Sequence, residues 1–184
     1  MRSTVIVLVL LFFPTAVYSI DENKLYISKN VCPFECCKYG QWDVKTDLII
    51  YKKPSIKSIS VGIIKGGASV IAINGQVHVV PGIAEMTGKP HKSARHLDKS
   101  KPILILDYIG EGYSRVMQNG KTFEVKIART KERCKKKSNW RYCWVTISKE
   151  PSSEWWVNVK SIDGLITGWV LVKDRNVKPI DSCA

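Results

Sequence analysis

Apolar and polar residues along this chain alternate in short bursts, and no window sustains a helical period. Asp47-Leu48-Ile49-Ile50-Tyr51 is apolar and β-branched and stops at Pro54. Val61-Gly62-Ile63-Ile64 runs into Lys65-Gly66-Gly67, a turn signal. Ser69–Ile73 and Gln76–Val80 are predicted strands separated by Asn74-Gly75, a dipeptide that favours a tight hairpin. Ile103–Tyr108, Tyr113–Met117 and Thr122–Ile127 follow, the last two joined through a second such pair, Asn119-Gly120. Tyr142–Ser148, Trp155–Ser161 and Thr167–Val172 complete the set. Residues 84–101, with Gly88, Pro90, His91, His96 and several lysines, read instead as an exposed loop with one helical turn near Ser93–Leu97. Many short strands with Gly and Asn turns predict an all-β barrel or sandwich.

The ends change this picture little. Arg2, the apolar run from Val5 to Phe13, Pro14 and small residues up to Ser19 have the form of an export signal at 1–19. The run is shorter than the ~20 residues a membrane span needs. Export to the outside or to a periplasm is therefore expected, with no membrane span after cleavage.

All six cysteines, Cys32, Cys36, Cys37, Cys134, Cys143 and Cys183, lie beyond that signal. In an exported chain an even number favours disulfides. The fifteen possible pairings stay open. The short spacing of Cys134 and Cys143 suits a clipped hairpin, which leaves Cys183 to tie the C-terminus to the Cys32–Cys37 cluster. Neither spacing matches the paired ligands of a structural zinc site, so no metal and no cofactor is expected.

The net charge is +13, and loss of Arg2 with the signal leaves +12. This favours anionic partners. The charge concentrates at Arg129, Lys131, Arg133, Lys135, Lys136, Lys137 and Arg141, opposed only by Glu132 and interleaved with Trp140 and Tyr142. Such a stretch can clamp an anion, with Trp140 stacking on the ligand. The exported address disfavours nucleic acid.

The end of the chain carries its most specific pattern, Trp155-Trp156-Val157-Asn158-Val159, then Asp163-Gly164, then Gly168-Trp169-Val170. Adjacent strand residues face opposite sides, so Trp155 and Trp156 cannot share a core. Trp156 and Trp169 are assigned to packing and Trp155 to the surface. Leu48 through Pro54-Ser55, the Val61-Gly62 to Gly66 turn, and Gly112–Val116 with Gly120 add to the pattern. Together these residues resemble the bacterial Src-homology-3-like (SH3-like) domains of exported proteins.

The resemblance implies SH3-like β-barrels. The expected arrangement is a Cys-rich lead-in or cap at 20–42 and two small barrel-like units, 43–128 and 129–184. A single barrel with large insertions is the other possibility. Binding rather than catalysis is what the resemblance implies, with a cell-wall glycan or a protein as partner. The expected ligand residues are Trp155, Trp140, Tyr142, Arg133, Lys135, Lys136, Lys137 and Arg141. Two alternatives are a small cell-wall hydrolase and an inhibitor or immunity protein that caps an exported enzyme. No Gly-x-Ser-x-Gly elbow, His-Glu-x-x-His or phosphate loop occurs to argue for an enzyme. His91, His96 and Asp98 form only a weak metal pattern in a lysine-rich loop, and His78 has the setting of a structural residue.

Overall fold

A computed structural model describes residues 25–31, 36–127, 143–173 and 175–181. The predicted signal, the basic stretch 129–141 with Trp140, and Tyr142 lie outside the described residues.

The fold is all-β, as the periodicity predicts, with thirteen strands and one 3-10 turn at Lys92–Ala94 among the described residues. The strands are β1 (Tyr26–Lys29), β2 (Cys37–Val44), β3 (Leu48–Tyr51), β4 (Ser60–Ile64), β5 (Ser69–Val80), β6 (Gly82–Met86) and β7 (Ile103–Gly110). They continue with β8 (Tyr113–Gln118), β9 (Lys121–Lys126), β10 (Val145–Lys149), β11 (Ser152–Ser161), β12 (Thr167–Val172) and β13 (Val177–Asp181).

Eight of these form one sheet that curls into a half-barrel, in the order β13-β2-β5-β11-β12-β3-β4, with β1 also beside β5. The other five form a second sheet, ordered β10-β6-β7-β8-β9. Each sheet has its own apolar core. The first is built around Trp42, Leu48, Ile50, Val70, Val157 and Val170. The second is built around Ile103, Ile105, Val116, Val125 and Trp144. The second sheet is made entirely from residues between Val80 and Ser152, which are themselves cross-strand partners in the first sheet. The expected units 43–128 and 129–184 therefore each contribute strands to both sheets.

The Asn119-Gly120 hairpin forms as predicted. Both residues have positive φ (53° and 75°), and Gln118 pairs with Lys121 across the turn. Asn74-Gly75 does not turn. It lies inside β5, which runs unbroken from Ser69 to Val80. β11 pairs along one edge of it, and β1 and β2 follow each other along the opposite edge. Tertiary pairing on both edges overrides the local turn preference. A close approach explains the glycine: a Cβ on Gly75 would stand 2.5 Å from the Tyr39 hydroxyl and 3.0 Å from Trp155 Nε1.

Two further expectations change. Part of the Cys-rich lead-in is paired strand: β2 starts at Cys37 and lies between β13 and β5. Cys36, Cys37 and Cys143 are disulfide-bonded, and none of the described cysteines is free. Cys32, Cys134 and Cys183 lie outside the described residues, and with them the expected pairings. The loop at 84–101 is also not wholly exposed. It opens with the end of β6, and Ala94 and Leu97 sink into the second core. The buried Gln118 side chain pins the loop. It accepts from the Asp98 amide at 2.8 Å and donates to the carbonyls of Asp98 and Lys101 at 2.9 and 3.0 Å.

A polar joint links the sheets. Ser28 of β1 donates to Asp107 Oδ2 of β7 at 3.1 Å, and Arg115 of β8 reaches the same oxygen at 3.0 Å. The Arg115 guanidinium also donates to Ser28 Oγ at 3.3 Å. Asp107 is buried, so its charge is stabilised chiefly by Arg115.

Candidate functional site: an aromatic face on the large sheet

Strand alternation sorts the first sheet into an inner and an outer side. Val157 and Val159 of β11 point inward, with Val170 of β12 and Ile50 of β3. Trp156 and Asn158 therefore point outward. Directly beside them on the same side stand Leu171 and Trp169 of β12, and Gln76 and Asn74 of β5. Tyr51 of β3 pairs with Trp169, and His78 of β5 pairs with Glu154. Four neighbouring strands thus present one aromatic and amide-bearing surface.

Trp156 is its centre, only 1% exposed. Tyr51 meets it edge-on with ring centres 5.8 Å apart, and the His78 ring lies 6.3 Å away, tilted. Such edge contacts add about 0.5–1.5 kcal/mol beyond burial. The indole N–H of Trp156 donates to Glu154 Oε2 at 3.1 Å, and His78 Nε2 lies 3.1 Å from Gln76 Oε1. Burial holds the imidazole of His78 below its ordinary pKa, and the nearby negative charge of Glu154 opposes that shift. Neutral His78 then donates through Nε2 to Gln76. Trp169 and Tyr51 remain partly open to solvent. The Asn158 side-chain carbonyl is buried and accepts no hydrogen bond among the described residues.

Gly168 allows this surface to form. A Cβ there would sit 2.5 Å from the Tyr51 carbonyl oxygen and 2.8 Å from Ile50 Cγ2. Any larger residue would push β12 away from β3 and separate Tyr51 from Trp169.

Trp155, the residue expected at the surface, lies on the inner side. It is partly buried against the first core, edge-on to Trp42 at 5.6 Å, with Tyr39 stacked on Trp42 at 6.0 Å. The Tyr39 hydroxyl donates to the Val31 carbonyl at 2.8 Å. Burial raises its pKa, and a hydrogen bond with Trp155 partly offsets the rise. The other expected ligand residues, Arg133, Lys135, Lys136, Lys137, Trp140, Arg141 and Tyr142, lie outside the described residues. The face brings together residues that the sequence reading kept apart. Tyr51 had been read only as a strand end, and Asn158 and Gln76 as ordinary strand residues. The available signal was parity: Trp156, Asn158 and Trp169 share a side once the hairpin register is set by Asp163-Gly164.

The histidines of the 84–101 loop have separate local roles. His91 Nδ1 caps the 3-10 turn, accepting from the Ser93 amide at 3.3 Å and lying 2.9 Å from its hydroxyl. His96 packs on Phe123 at 4.6 Å, and the Asp98 carboxylate accepts from Ser100. No trio of metal-binding side chains comes together among the described residues. Likewise, no helix among them is long and apolar enough to cross a membrane. Neither a protein-family model nor a curated protein sequence matches the chain.

Proposed function

We propose that this is an exported, non-catalytic binding protein of SH3-like architecture, whose partner is a cell-wall polymer or another protein. The observation that carries this reading is the outer aromatic face. Tyr51 and Trp169 offer partly open rings that lose little entropy on binding, with the buried Trp156 packed edge-on behind Tyr51. Gln76, partly open, and Glu154, exposed, supply polar groups at fixed spacing. A surface of this kind suits an extended peptide or a glycan strand laid across strands β3, β12, β11 and β5.

The strand path supports the SH3-like reading. Five strands, β13-β2-β5-β11-β12, pair side by side in the sheet that curls into a half-barrel, and the β3–β4 hairpin lies against the last of them. On this reading residues 37–80 and 152–181 form one barrel, and 81–151 is an insertion between β5 and β11. The choice of one inserted barrel over two side by side rests on the pairing of Val80 with Ser152.

The test is retention of the purified protein on insoluble peptidoglycan and on peptide arrays. Trp169→Ala and Tyr51→Ala should each lower retention about tenfold, the scale of a lost stacking contact, with the fold retained and only Tyr51→Ala lowering the melting temperature, through its lost edge contact with Trp156. Release of soluble peptidoglycan fragments would support the hydrolase reading instead. Retention that ignores both substitutions but falls with Lys135→Ser, Lys136→Ser and Lys137→Ser would move the site to the basic stretch.

A further inference from the structure

One end of the large sheet carries a feature that the aromatic face does not use. β3 and β12 run antiparallel with Tyr51 beside Trp169, so the loop after Tyr51 and the turn before Thr167 lie at the same end. Ile166 confirms the closeness: a Cβ on Gly62 of β4 would be 2.9 Å from its Cδ1. At these two tips four aliphatic side chains stand in solvent. Ile56 is 61% exposed, Ile59 73%, Ile162 59% and Leu165 84%. Four exposed lysines flank them: Lys52, Lys53 and Lys57 in the first loop, and Lys160 beside the second. None of these lysines is in an ion pair among the described residues. The one acid at the tips, Asp163, is itself exposed, and its carboxylate accepts from Ser161 Oγ at 2.6 Å and the Leu165 amide at 2.9 Å.

We propose that this end docks on an anionic lipid bilayer, with the four aliphatic tips entering the interface and the lysines meeting the phosphate headgroups. Three observations favour lipid over a protein socket. The apolar groups are aliphatic and sit on two loop tips, a shape that a deformable medium accepts without a matching cavity. The charge around them is predominantly positive, with four lysines against the single Asp163, and complements anionic headgroups. Much of the loop backbone is also hydrogen-bonded internally. The Lys52 amide bonds the Ile59 carbonyl at 2.9 Å, the Ser58 amide bonds the Ser55 carbonyl at 2.9 Å, and the amides of Lys53 and Lys57 bond Ser58 Oγ and Ser55 Oγ. A loop closed in this way carries fewer unpaired amides into a poorly hydrated layer. The proposal is independent of what the aromatic face binds.

Flotation with two kinds of vesicle tests it: pure phosphatidylcholine, and phosphatidylcholine with about a quarter phosphatidylglycerol. The full chain should float with the anionic vesicles and much less with the neutral ones. Ile56→Ser with Leu165→Ser should weaken that binding at least about tenfold, the scale of losing one buried aliphatic side chain. Each of Lys52→Ser, Lys53→Ser and Lys57→Ser should weaken it by about fivefold. All five positions are exposed, so melting temperatures should not move. Equal binding by the Ile56/Leu165 variant would overturn the insertion, as would equal binding to both vesicle types. Loss of flotation in Lys135→Ser, Lys136→Ser, Lys137→Ser alone would also overturn the proposal, by assigning the lipid contact to the basic stretch. A dimer that the tip substitutions dissolve, without vesicle binding, would replace lipid with a second copy of the chain.

Discussion

Gly75 offers the sharpest test of the fold. Replacing it by Ala places a methyl group 2.5 Å from the Tyr39 hydroxyl, 3.0 Å from Trp155 Nε1 and 3.1 Å from the Trp156 carbonyl oxygen. The last is backbone of a paired strand, so the tyrosine must move. Its hydrogen bond to the Val31 carbonyl then breaks, at a cost of about 1 kcal/mol, and overpacking adds about 1–3 kcal/mol. Against this, Ala in a strand recovers about 0.5–1 kcal/mol of chain entropy. The balance is a loss of about 2 kcal/mol, or about 4–8 °C in melting temperature for a chain of this size. The assay is thermal and urea unfolding, with the disulfides intact, of four proteins: the parent, Gly75→Ala, Tyr39→Phe and the double variant. Removing the tyrosine hydroxyl makes room for the methyl, so the double variant should be more stable than the sum of the single losses by about 1 kcal/mol. A turn at Asn74-Gly75 predicts a different result, because a glycine with positive φ would be destabilised by Ala regardless of Tyr39. Strict additivity, or an Ala variant as stable as the parent, would refute the continuous strand and the crowding that explains it.

Two further outcomes follow from buried charge. Arg115→Met should destabilise the protein by about 3–5 kcal/mol, because it leaves the buried Asp107 carboxylate without its cation. Asp107→Asn in the same background should recover part of that loss in urea titrations, which a purely steric role for Arg115 would not allow. His78 should make stability depend on pH. Its pKa is depressed in the folded state, so below about 6.5 the unfolded chain binds a proton that the native chain refuses. Stability from this group is then full above that pH and falls as the pH drops towards the lower folded value. His78→Gln should flatten the fall in melting temperature between about pH 7 and pH 5, and an unchanged slope would count against the burial of a neutral imidazole.

Most of the strands were legible because their signals were local and strong. Leu48–Tyr51 and Trp169–Val172 are short apolar runs beside turn signals, and Tyr113–Gln118 mixes polar and apolar positions ahead of Asn119-Gly120. The elements that escaped notice are those whose identity depends on distant partners. β2 contains Gly40 and begins beside cysteines, so it reads locally as a stapled lead-in. It becomes strand because β5 and β13 supply both its edges. β5 hid its continuity behind a hairpin dipeptide for the same reason. The aromatic face was half legible. The sequence made it certain that Trp155 and Trp156 face opposite ways, but not which side the core would take. That choice depended on Trp42 and Tyr39, over a hundred residues upstream, which claim Trp155 for the inner side.

The pairing of Val80 with Ser152 has a consequence for how the chain reaches its fold. The longest ladder in the molecule, β5 with β11, joins segments that are far apart in sequence, and forming it directly carries the entropy of closing a long loop. The second sheet lies wholly within that loop. Its strands β6 to β9 pair in sequence order, and β10 comes back beside β6. The β7–β8 and β8–β9 hairpins are short-range contacts and form readily, which leaves β10 to close onto β6. Once that sheet has folded, its two ends emerge side by side, and β5 and β11 meet across a gap that has already closed. The second sheet then acts as a clasp, and a chain in which it is loosened should fold more slowly than its loss of stability alone would predict.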